Sequence, residues 1–117
     1  MAEKIFLSYA YQDRDLVQSV EKALREHKIV TAEDVIIVDP QKNVHAGENI
    51  RALIKDAISS ASKVVIIASN DSAASQWVNY EAGMATALGK PIVVIGRKGV
   101  GKSALVGALE NVQSIEI

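Results

Sequence analysis

Apolar positions along the chain alternate between two spacings. Short β-branched runs recur at Lys4 to Ala10, Val35-Ile-Ile-Val38, Lys63-Val-Val-Ile-Ile-Ala68, Pro91-Ile-Val-Val-Ile95 and Val112 to Ile117, which read as five strands. Between them lie stretches of helical period. The first helix is expected to start near Asp13, a good N-cap residue, with Leu16, Val17, Val20 and Leu24 on one face. The second spans about Asn49 to Ala61 and carries Ile50, Leu53, Ile54, Ala57 and Ile58 as an i, i+3, i+4, i+7, i+8 stripe. The third runs from about Ser75 to Leu88, with Val78, Ala82, Ala85 and Leu88 inward, Gly89 as its stop and Pro91 just beyond. A short helix is expected over Ser103 to Leu109.

Strands two, three and four are nearly all apolar, as a parallel sheet covered on both faces requires. Alternating strands and helices imply an α/β fold: a five-stranded parallel doubly wound sheet, order 2-1-3-4-5, with helices on both faces. No repeat, linker or low-complexity stretch interrupts it, so residues 1–117 read as a single domain. In such a sheet ligands bind beyond the carboxyl ends of the strands, where the order reverses between strands one and three. The loops there are Tyr9 to Asp13 and Asn70 to Ser75, the second leading into Trp77 and Glu81. The chain has five aromatic residues, and four of them (Tyr9, Tyr11, Trp77 and Tyr80) fall in or beside these two segments. The expectation is an aromatic cleft around one acid.

Composition removes alternatives. Apolar residues make up 49% and the net charge is −1, which argues for a globular chain with no general attraction to nucleic acid or an acidic membrane surface. There are no cysteines, so disulfides and thiolate metal sites are excluded and a cytoplasmic location is expected. No apolar run reaches the roughly 18 residues of a membrane span. The start Met-Ala-Glu-Lys lacks the layout of a signal peptide and, with the finish on a strand, favours a complete small protein over a fragment. No His, Asp or Glu cluster has metal-ligand spacing, and no metal is expected. His45 reads as a solvated loop residue, and His27 suits the end of the first helix.

Glu81 follows Val78 by three positions and Trp77 by four, on the helix's apolar side. Flanked by apolar groups, a carboxylate is desolvated and its pKa tends upward. Spacing alone leaves a second reading open, in which Glu81 lies at the stripe's edge and reaches solvent.

The whole chain resembles a Toll/interleukin-1 receptor (TIR) domain, of the bacterial type that cleaves NAD⁺. Phe6-Leu-Ser8-Tyr9 is similar to that family's first-strand signature. Gly47-Glu-Asn-Ile50, followed by Ile54, Ala57, Ile58 and Ser60, resembles the pattern at and after its BB loop. Ser75, Trp77, Val78 and Glu81 resemble its third-helix signature, and Gly89-Lys-Pro-Ile-Val-Val resembles its fourth strand. Val78 stands where many members have cysteine, but tryptophan followed by valine also occurs in enzymatic members.

The resemblance implies an NAD⁺ glycohydrolase or ADP-ribosyl cyclase in bacterial defence or signalling. NAD⁺ is then the substrate, and no cofactor is needed. Glu81 matches the catalytic glutamate and would stabilise an oxocarbenium-like transition state at the nicotinamide ribose. Trp77 would stack on a base or shape the pocket, Tyr9 would line the nicotinamide side, and Asp39 closes the second strand beside the BB loop. Ser8 and Asp13 are further substrate-binding candidates. Core packing for Tyr9 and Trp77, and turn chemistry before Pro40 for Asp39, are the plainer readings. The resemblance also implies self-association with other TIR domains, a neighbour's Asp39–Gly47 loop completing the site.

Other functions compete. A TIR domain acting only as a homotypic assembly module has no need of Glu81. A receiver domain of the same topology wants acidic residues where this chain has Ser8-Tyr9-Ala10-Tyr11, and a flavodoxin wants a phosphate loop there. Lastly, Gly96-Arg-Lys-Gly-Val-Gly-Lys102-Ser103 matches the phosphate-loop pattern between a strand and a helix. It follows the fourth strand rather than the first, 14 residues remain after it, and no later strand ends in a Mg²⁺-holding aspartate. It reads as a flexible basic loop, or as one whose Arg97, Lys98 or Lys102 attracts a dinucleotide's phosphates.

Overall fold

The structure is a computed structural model describing residues 3–30, 35–38, 50–69, 76–96 and 113–116. Its elements are β1 (Glu3–Ser8), a 3-10 turn (Tyr11–Leu16), α1 (Val17–Glu26), β2 (Val35–Val38), α2 (Ile50–Ser60), β3 (Lys63–Ala68), α3 (Gln76–Ala87), β4 (Ile92–Gly96) and β5 (Gln113–Glu116). All strand pairs are parallel and the order is β2-β1-β3-β4-β5, as the alternating pattern predicts. The expected Ser103–Leu109 helix lies outside the described residues.

Strand alternation divides the core in two. Phe6, Val64, Ile66, Ile92 and Val94 point to one face, where Ile54 and Ile58 of α2 and Val78, Ala82 and Ala85 of α3 cover them. Ile5, Leu7, Val65, Ile67, Val93, Ile95 and Ile115 point to the other, under Val17, Val20 and Leu24 of α1. β3 sits between β1 and β4, and all its residues after Lys63 are buried. β2 is an edge strand with Ile36 46% exposed, so its apolar run reflects strand propensity more than two-sided burial.

Three local expectations are corrected. Asp13 does not cap α1. The chain first makes a 3-10 turn whose N-cap is Ala10, with Asp13 N–H donating to the Ala10 carbonyl at 2.8 Å. Leu53 and Leu88 are exposed at 38% and 36%: Leu53 lies at the rim of the apolar stripe of α2, and Leu88 falls in the turn just past the end of α3. By contrast, α3 ends as expected: Gly89 adopts φ +67°, and Gly89 and Lys90 return their N–H groups to the Thr86 and Ala85 carbonyls. α1 makes a similar left-handed exit at Lys28, φ 57°.

Candidate functional site

Two carboxylates are buried among the described residues, each held by a serine. Glu81 occupies the inward face of α3 between Val78 and Ala82 and has no exposed surface. Ser8, the last residue of β1, lies on the same sheet face as Phe6 and donates its Oγ–H to Glu81 Oε1 at 2.7 Å. The chain brings these residues together from 73 positions apart because α3 packs over β1 and β3. Of the two readings that spacing left for Glu81, the inward one holds. The second carboxylate, Asp13, is 7% exposed in the 3-10 turn and accepts a hydrogen bond from Ser69 Oγ, just past the end of β3. Ser69 escaped the sequence reading. Its signal was a single hydroxyl residue directly after an apolar strand.

Trp77 is half-buried and packs against the cluster on Glu81's face, while its Nε1 is buried without a hydrogen-bond acceptor among the described residues. Tyr9 is 2% exposed and belongs to the core of the opposite face, with Leu7 and Val17. Tyr11 is 64% exposed, with the Arg14 guanidinium 4.0 Å from its ring centre, and Tyr80 is 39% exposed. The four aromatics therefore do not gather into one cleft, because strand and helix periodicity send them in different directions. Asp39, His45 and Ser75 lie outside the described residues, as does the phosphate-loop pattern beyond Gly96.

Among the described residues no group of three or more His, Asp or Glu is placed to hold a metal ion. No described helix is long and apolar enough to cross a membrane. A cavity of about 110 Å³ lies at α1 and β2, lined by Glu21, Leu24, Arg25, Val30 and Ile37, and none of the candidate residues borders it.

No curated protein matches the sequence. Among solved structures, the chain is similar to the TIR domain of the Toll-related receptor TRR-2 from Hydra magnipapillata, with 14% identity, a TM-score of 0.66, and coverage of 94% of this chain and 82% of that one. It is similar to the TIR domains of the activated Roq1 resistosome at 20% identity and TM-score 0.60, covering 82% of this chain and 58% of that one. It also resembles the CMP N-glycosidase BcmB of Clostridium botulinum at 19% identity and TM-score 0.61, covering 98% and 89% of the two chains. These likenesses are likenesses of fold. The family model described as the TIR domain matches residues 5–116, nearly the whole sequence, and the chain belongs to that family.

Proposed function

We propose that this TIR domain cleaves the bond between nicotinamide and ribose in NAD⁺, with Glu81 as the catalytic carboxylate. The observation that carries the reading is a lone glutamate placed among the apolar residues of α3, fully covered and hydrogen-bonded to the end of β1. That is the strand end where the sheet order reverses, the usual ligand position in such sheets. The glycosidase BcmB, named for acting on CMP, shares the fold and lends support.

One acid is enough for this reaction. Nicotinamide is a cation while bonded to ribose and leaves as a neutral base, taking the bonding electron pair, so no general acid has to protonate it. The carboxylate stabilises positive charge growing at the anomeric carbon, and water or an internal nucleophile then fills the open position. Trp77 shapes the apolar wall beside Glu81, and Ser8 holds Oε1.

Glu81 is wholly covered, so substrate must first displace what covers it. Self-association supplies such a step: contact with a second TIR domain opens or completes the site. Nicotinamide release should therefore rise faster than linearly with protein concentration, and constant specific activity over a wide dilution series would exclude that dependence. The direct test compares nicotinamide release from NAD⁺ by the wild type and by Glu81→Ala at high protein concentration. Release by the first and none by the second is expected. Equal release from both would move the chemistry away from Glu81, and no release from either would leave the domain as an assembly module.

A further inference from the structure

We propose that Ser8 is a positioning residue for Glu81, a role that rests on the reading of Glu81 as the catalytic acid. Ser8 breaks a pattern. On the sheet face covered by α2 and α3, β1 presents Phe6 and then Ser8, while the facing β3 positions are Val64 and Ile66. Ser8 pairs in register with Ile66 and has no exposed surface. An apolar residue would pack there without burying a hydroxyl. Among the described residues the hydroxyl has one evident use, which is the 2.7 Å bond to Oε1.

That bond does two things. It ties the end of a flexible side chain on a helix to a β-strand paired on both sides, which fixes the plane of the carboxylate. It also donates to the ionised form, and a donor favours the charged state of a carboxylate that burial disfavours. The ionised form is the one that stabilises an oxocarbenium-like centre. In this role Ser8 acts through Glu81.

Among the described residues, the charged groups on the elements packed against α3 are few. The elements packed against α3 are α2, β1 and β3. On α2, Lys55 and Asp56 are exposed. Glu3, Lys4 and Lys63 sit at the far ends of β1 and β3 from Ser8. Of the other buried titratable groups among the described residues, Tyr9 faces the opposite side of the sheet and Asp13 is engaged by Ser69.

The test is the pH dependence of nicotinamide release by the full chain for wild type, Ser8→Ala and Ser8→Thr, with thermal unfolding measured alongside. For Ser8→Ala, kcat at neutral pH falls about tenfold, the worth of one charge-assisted hydrogen bond, while KM stays within about twofold. Its acid limb moves to higher pH, because losing the donor disfavours the carboxylate. Ser8→Thr, which keeps the hydroxyl, restores the wild-type limb. An acid limb that stays in place, or a rise in KM alone, overturns the proposal while leaving the NAD⁺-cleaving reading standing. No release by the wild type fails both. Should Ser8→Ala not fold, Ser8→Cys keeps the size but donates weakly, and its acid limb must still move upward.

Discussion

The two faces of the sheet follow different rules. Under α1 the buried helix positions are Val17, Val20, Ala23 and Leu24, all apolar. Under α3 they are Val78, Glu81, Ala82 and Ala85, with a carboxylate among them. The α1 face is explained by burial alone. The α3 face is not, since a covered carboxylate costs several kcal/mol unless its hydrogen bonds offset the lost hydration. Under the function proposed above, the carboxylate inside α3's buried stripe is retained for chemistry rather than stability.

Substitutions on the two faces and at the helix exits break or sharpen that contrast. Glu81→Gln has the largest effect on function: nicotinamide release drops by about a thousandfold, the scale of losing one electrostatic contact to a transition state, while thermal unfolding stays cooperative. Leu24→Ala on the α1 face does the reverse. It costs about 2–5 kcal/mol in denaturant unfolding, with activity per folded molecule unchanged; loss of that activity would show that the two faces are not separable. Ser8→Ala combined with Glu81→Met, which removes both partners, leaves stability within about 1 kcal/mol of wild type or above it. Glu81→Met alone is the less stable of the two, because it strands the Ser8 hydroxyl. The helix exits give the smallest effects. Gly89→Ala costs about 1 kcal/mol in thermal unfolding at a left-handed position, whereas Lys28→Gly, at the matching exit of α1, raises stability by about 0.5–1 kcal/mol.

Most of the fold was legible because its signals are local. The runs Val35–Val38 and Lys63–Ala68 are the strands, and Gly89 stops α3 where a left-handed residue is needed. Asp13 misled because an aspartate before an apolar stripe looks like a cap whether or not its carboxyl turns inward, and only the tertiary position of Ser69 decides that. Glu81 was ambiguous for a related reason: helical spacing places it on the apolar side, but the covering of that side comes from other elements. For Tyr9 the information was present. It shares the alternation of Ile5 and Leu7 rather than of Phe6 and Ser8, and its nearness to other aromatics in sequence outweighed that parity. The pairing of Ser8 with Glu81 has no local signature and needed the fold.

Lys90 carries a consequence of its own. Directly after the left-handed Gly89, its ammonium donates to the Ser59 carbonyl at 2.8 Å and the Ala61 carbonyl at 3.0 Å, so the exit of α3 closes the exit of α2. An amine with two protons held by carbonyls reacts slowly with acylating reagents, whereas Lys22, with a side chain 78% exposed, reacts freely. Once acylated, Lys90 no longer has the positive charge that answers the negative end of the α2 dipole. The ratio of label on these two amines therefore serves as a built-in gauge of whether the two helix ends remain joined.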